Sequence, residues 1–169
     1  MNESILLAID DTTRELLDAI AKFSDDQFNK VPFEESWTAG QVAEHLLKAE
    51  SGIPVLWGGK NKRTERAVDE HVETIKSIFL DYTTKLVSPD FIVPSDLPKV
   101  KAEMYGQLKT NRSTIQAMAE QIDLTLTYTK FPFPNMGELT GIEWATFIIC
   151  HSRRHIRQLK NINHELTQV

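Results

Sequence analysis

Apolar and polar positions alternate with a helical period over most of this chain. From about Glu3 to Lys22, the residues Ile5, Ile9, Leu16, Leu17, Ile20 and Phe23 recur at helical spacing with acids between them. The stretch "SDDQF" predicts a short helical turn, capped by Ser24 with Gln27 three residues on. A second helix follows Thr38, whose partner Gln41 stands in the capping-box position, with Trp37 and Val42 placed to close a hydrophobic staple. Val42, Leu46 and Ala49 form its inner stripe, with His45 among them. Pro54 kinks or ends that helix, and Gly58-Gly59 ends the segment.

The run "NKRTERAVDEHVETIKSIFLDYTTKL" predicts a third helix with a thin apolar face of Val68, Val72, Ile75, Phe79 and Leu86. A proline-rich connector, "VSPDFIVPSDLPKV", leads into a fourth helix from about Leu97 to Gln121. Ser95 or Asp96 is its expected cap, and Pro98 suits its first turn. Val100, Met104, Leu108, Ile115, Met118 and Ile122 make its stripe. "LTLTYTKFPFP" alternates and predicts a short extended arm, too small to found a sheet. Thr140, with Glu143 three residues on, caps a last helix that runs to about Leu166. Four long amphipathic stretches in one domain, residues 1–169, predict an all-α four-helix bundle. The long connection between the second and third bundle helices, carrying an additional helix, implies a crossover rather than an up-down-up-down path.

Composition narrows the function classes. The chain has 169 residues, 41% hydrophobic and 25% charged, with a formal net charge of −5. That balance suits a folded globular domain. It argues against a nucleic-acid partner, which normally selects for basic excess. The single cysteine, Cys150, excludes an internal disulfide. "MNESILLAID" lacks the basic and apolar regions of a signal peptide, and nowhere do about 18 apolar residues run together. The expectation is a cytoplasmic protein without a membrane partner.

The candidate chemistry lies in histidines. On the last helix Trp144, Ile148, His151, His155, Leu159 and Ile162 step by three or four residues and share one face. His151 and His155 therefore lie on the apolar stripe, and two imidazoles at that spacing can reach one ion. His45 is on the inward stripe of the second helix. Three histidines on core-facing stripes match the three-ligand pattern of a catalytic metal site with an open position. Hydrogen-bonded core histidines give the same pattern, and spacing alone does not separate the two. His71 and His164 are expected at the surface, and Cys150, between apolar neighbours, as an inert buried thiol. Glu44 is expected to point away from His45, Gln41 to orient it, and Glu143 to serve the capping box. Arg154 reads as a solvated arginine, with an anionic substrate as the alternative.

These residues and their surroundings resemble the DinB-like family. The matching pieces are "SWTAGQVAEHLLKAE" around His45, "SPDFIVPSDLP", and "FPFPNMGELTGIEWATFIICHSRRHIRQLKNI" around His151 and His155, in that order. The resemblance implies a bundle with non-sequential helix packing, often a homodimer. It also implies a divalent metal held by His45, His151 and His155, with zinc or nickel the expected ion. It further implies a metal-dependent hydrolase or a transferase acting on bacillithiol or a related low-molecular-weight thiol. The nucleophile would be water or thiolate at the metal's open position, with no catalytic side chain assigned. The alternative is a non-catalytic, metal-stabilised dimeric binding protein.

Overall fold

A computed structural model describes residues 2–168. Seven α-helices and a two-stranded ribbon follow one another among the described residues: α1 (Asn2–Ala21), α2 (Asp25–Phe28), α3 (Ala39–Glu50), α4 (Ile53–Trp57), β1 (Asn61–Lys62), α5 (Val72–Phe79), α6 (Lys101–Gln121), β2 (Thr127–Tyr128) and α7 (Gly141–Thr167). A single 3-10 turn occupies Asp90–Ile92. The all-α bundle expected from periodicity is present. The connection between α3 and α6 is the long crossover, and it carries α4, β1 and α5.

The four long helices pack in the cyclic order α1, α6, α3, α7. Helices that follow one another along the bundle, α1 and α3 or α6 and α7, thus stand mainly on diagonals. α5 lies against α7 from outside. Being flanked by α1, α3 and α5 explains why every residue from Gly141 to Ser152 is buried. A helix covered on most sides needs no wide polar face, and "GIEWATFIIC" has almost none.

Two apolar clusters fill the interior. One gathers Leu16, Ile20, Phe23, Leu46, Leu108, Ile156 and Leu159. The other gathers Ile9, Leu56, Ile75, Ile115, Trp144 and Ile148. Three capping boxes start α2, α3 and α7, at Ser24/Gln27, Thr38/Gln41 and Thr140/Glu143, all as the sequence predicts. Each side chain satisfies a backbone donor that the first helical turn leaves free. Gly141 is required where it stands, because a Cβ there would meet Leu124 Cα at 2.7 Å.

The structure corrects two expectations. The third helix is only Val72–Phe79, not the whole 61–86 stretch. Ahead of it, Asn61–Lys62 pairs with Thr127–Tyr128, and the Arg66 guanidinium is held by the Glu143 carboxylate at 2.6 and 2.7 Å. Behind it, Asp81 accepts hydrogen bonds from the Thr83 backbone and the Thr83 and Thr84 hydroxyls, which closes a turn. The fourth helix begins at Lys101, with no side-chain cap, rather than near Leu97. The residues before it are held extended by distant partners. Ser95 N donates to Glu44, and the Asn29 side chain bonds both N–H and C=O of Lys99 at 2.7 and 2.8 Å. The expected extended arm is present: Thr127–Tyr128 pairs with β1, and the arm also folds back on the residues before α7 through Phe133 with Gly137 and Thr127 with Thr140.

Candidate metal centre

The start of α3 is fixed by Thr38, and the end of the loop that follows α5 passes over it. His45, one turn and a half into α3, is 2% exposed. Its Nδ1 lies 2.9 Å from the carbonyl oxygen of Ile92 in the 3-10 turn. A carbonyl only accepts, so Nδ1 carries the proton and Nε2 presents a bare lone pair. His155 on α7 is arranged alike, with Nδ1 2.8 Å from Gln158 Oε1. His151, one turn earlier on α7, lies between them.

The Nε2 atoms face one another. His45 Nε2 is 3.0 Å from His151 Nε2, and His155 Nε2 is 3.1 Å from it. The ligand-type nitrogens of the three residues all lie within 4.8 Å of one another. His151 could offer a proton to one neighbour, but not to both, so at least one pair of lone pairs is opposed. A cation at the centre removes that opposition. Tetrahedral zinc with Zn–N of about 2.0–2.1 Å sets its nitrogens about 3.3–3.4 Å apart, close to the spacing here. The donor set and its tautomers therefore fit a divalent ion, and the three buried histidines fit a metal-binding site.

Electrostatics point the same way. Burial holds His45 below its ordinary value. Burial, then the neighbouring His155 and His45, pushes His151 well below. Burial, then His45, pushes His155 down to about 3. All three stay neutral near pH 7, which is the state that ligates.

Aromatic rings wall the cluster. Phe147 stacks on His151 with ring centroids 5.0 Å apart, Phe79 meets its edge at 5.6 Å, and Trp37 lies 5.0 Å from His45. With 4% of His151 and 7% of His155 exposed, the cluster is almost closed to solvent.

Several expectations about neighbouring residues are settled here. Glu44 does point away and binds Ser95 N at 2.7 Å and Lys99 Nζ at 2.8 Å. Gln41 does not orient His45. Its amide caps Thr38 N and donates to Ser95 O at 3.3 Å, and the orienting group is the Ile92 carbonyl. Arg154 is half-buried rather than fully solvated, and its guanidinium donates to the carbonyls of Asp81 (2.7 Å), Phe79 and Thr84. It straps the segment after α5 onto α7. Cys150 is buried, and burial pushes its thiol up, as expected for an inert side chain. His164 is exposed, whereas His71 is half-buried and begins α5.

Sequence reasoning missed one buried polar group, the Glu50–Arg112 pair. Arg112 stands on the apolar stripe of α6, between Leu108 and Ile115, and that misplaced charge was the available signal.

The family model for the DinB superfamily matches residues 8–159. The chain belongs to the DinB superfamily. The matched range includes His45, His151 and His155. The chain is also similar to the uncharacterized protein YuaE of Bacillus subtilis (strain 168), 24% identical over 143 residues that cover 85% of this chain and 87% of that one. No solved structure matches significantly. No described helix of this DinB chain is long and apolar enough to cross a membrane.

Proposed function

We propose that this DinB protein is a metal-dependent enzyme that activates a low-molecular-weight thiol for transfer to an electrophile, with zinc or nickel at His45, His151 and His155. The observation that carries the reading is the meeting of three Nε2 atoms at 3.0 and 3.1 Å, two of them fixed as lone-pair donors by their Nδ1 partners. A divalent ion bound by three neutral imidazoles supplies Lewis acidity, which lowers the proton affinity of a thiol or water in its remaining position.

The chain's own residues have separable tasks. Ile92 O and Gln158 orient His45 and His155, which fixes where the donor lone pairs point. Trp37, Phe79 and Phe147 exclude water from the centre and offer an apolar surface to a substrate. Among the described residues, the buried or half-buried carboxylates of α3 and α7 are already engaged. Glu44 is engaged by Ser95 and Lys99, Glu50 by Arg112, and Glu143 by Arg66. Base-assisted hydrolysis needs a free group of this kind within hydrogen-bond reach. Its lack favours thiol transfer, or hydrolysis by metal-bound water acting without a protein base.

A second reading rests on the near-complete burial of the three ligands. Three ligands exposed by 2%, 4% and 7% also suit a metal-stabilised binding protein, working as a homodimer without turnover. Zinc- or nickel-loaded protein incubated with bacillithiol, cysteine or coenzyme A and monochlorobimane separates the two. The transferase reading expects metal-dependent conjugation that His155→Ala abolishes. Conjugation equal to the protein-free rate with every thiol would overturn it and leave the binding reading ahead.

A further inference from the structure

The Arg112 guanidinium lies inside the bundle, 1% exposed, between three helices. Its Nε and Nη2 donate to the two carboxylate oxygens of Glu50 on α3, each at 2.6 Å. Nη2 also donates to Ser152 Oγ on α7, and the Ser152 hydroxyl donates onward to Ile148 O at 2.6 Å. Glu50 and Ser152 are both fully buried.

Such a pair is a poor device for stability alone. Burial strips both ions of water, and apolar residues of similar size usually serve as well or better. Here burial pushes the Glu50 carboxyl up against the opposing pull of Arg112, and Nη1 of Arg112 has no partner among the described residues. What the pair supplies is direction. The apolar cluster shared by Leu46, Ile156 and Leu159 holds α3 near α7, but apolar packing is non-directional and does not fix their register. Two planar forks and a hydroxyl do. The network ends on Glu50, five residues after His45, and on Ser152, the residue after His151. The two helices it bridges are those whose nitrogens must meet.

We infer that Arg112, with Glu50 and Ser152, is a positioning network that sets the spacing of His45 against His151 and His155 and thereby the affinity for the metal. This inference rests on the metal reading above. Arg112 makes no hydrogen bond to the ligands; apart from the influence of its charge on His151, which the paired loss of Glu50 and Arg112 largely cancels, its effect passes through helix placement.

The test compares zinc affinity, by competition with a chromogenic chelator, with the melting temperature of the zinc-free protein. The paired substitution Glu50→Leu with Arg112→Met should leave the zinc-free melting temperature unchanged or higher, yet weaken zinc binding by roughly 10–100-fold. Arg112→Lys keeps the charge without the fork and should not restore tight binding. Ser152→Ala, which leaves the ion pair intact, should weaken binding in the same direction. If the paired variant folds and binds zinc within about twofold of the unmodified protein, the inference is wrong. If the paired variant fails to fold, unchanged affinity in Ser152→Ala overturns it instead. An unmodified protein that takes up no zinc sinks the metal reading and this inference together, an outcome distinct from tight binding in all variants.

Discussion

His45 Nε2 and His151 Nε2 stand 3.0 Å apart, although 106 positions separate the two residues. That contact joins α3 to α7 across the bundle, and it brings together two atoms that repel unless a proton or a cation lies between them.

Metal should stabilise the fold by mass action. At free zinc a hundred times its dissociation constant, the gain is about 2.7 kcal/mol, which for a chain of this size raises the melting temperature by roughly 5–10 °C. His155→Ala should lose most of that shift. Differential scanning fluorimetry with and without zinc at pH 7.5 reads it directly.

Acid should destabilise the metal-free protein. Burial lowers the folded-state values of all three ligands, His155 to about 3, while in the unfolded chain they titrate near their ordinary value of about 6.5. Below about pH 6.5 the unfolded state therefore binds protons that the folded state does not. Stability then falls as pH falls through the window from about 6.5 toward about 3, by up to about 1.4 kcal/mol per pH unit for each histidine involved. Urea midpoints between pH 8 and pH 5 should show that slope. His155→Gln should reduce it, and an equal slope in that variant would contradict the assignment.

The Arg154 strap should control access. Arg154→Ala releases the carbonyls of Asp81, Phe79 and Thr84, so the segment after α5 loses its tie to α7, one residue before His155. Amide exchange at residues 80–86 should accelerate, and zinc should enter and leave faster, with little change in helix content. Unchanged exchange in that segment would show that other contacts hold it.

Glu143 is a structural keystone for the crossover. Its buried carboxylate accepts from Arg66, from Thr140 N at 2.8 Å and from His71 N at 2.9 Å. Glu143→Ala removes the cap and the charged hydrogen bonds together and should cost about 2–4 kcal/mol in urea denaturation. Stability within about 0.5 kcal/mol of the unmodified protein would contradict this role.

The parts of this molecule that could be read from sequence are those whose causes are local. The period of apolar residues gave the long helices, and Ser24, Thr38 and Thr140 marked three helix starts through partners three residues away. The histidine triad was visible because 151 and 155 share a face and His45 falls on an inward stripe. What escaped depends on distant partners. The 61–71 stretch is drawn out of helix by β2 and Glu143, and the start of α6 is delayed by Asn29 and Glu44. The orienting partner of His45 is a backbone carbonyl, which leaves no mark in the sequence. Arg112 left a mark, a charge on an apolar stripe, but its partner Glu50 lies 62 positions away.

The most direct test is a crystal of the zinc- or nickel-loaded protein measured on both sides of that metal's absorption edge. The account predicts one strong anomalous peak within coordination distance of the Nε2 atoms of His45, His151 and His155, with a side of the ion left open to solvent or ligand. A protein that binds neither metal, or a peak held by other residues while the three imidazoles stay bonded to one another, would contradict it.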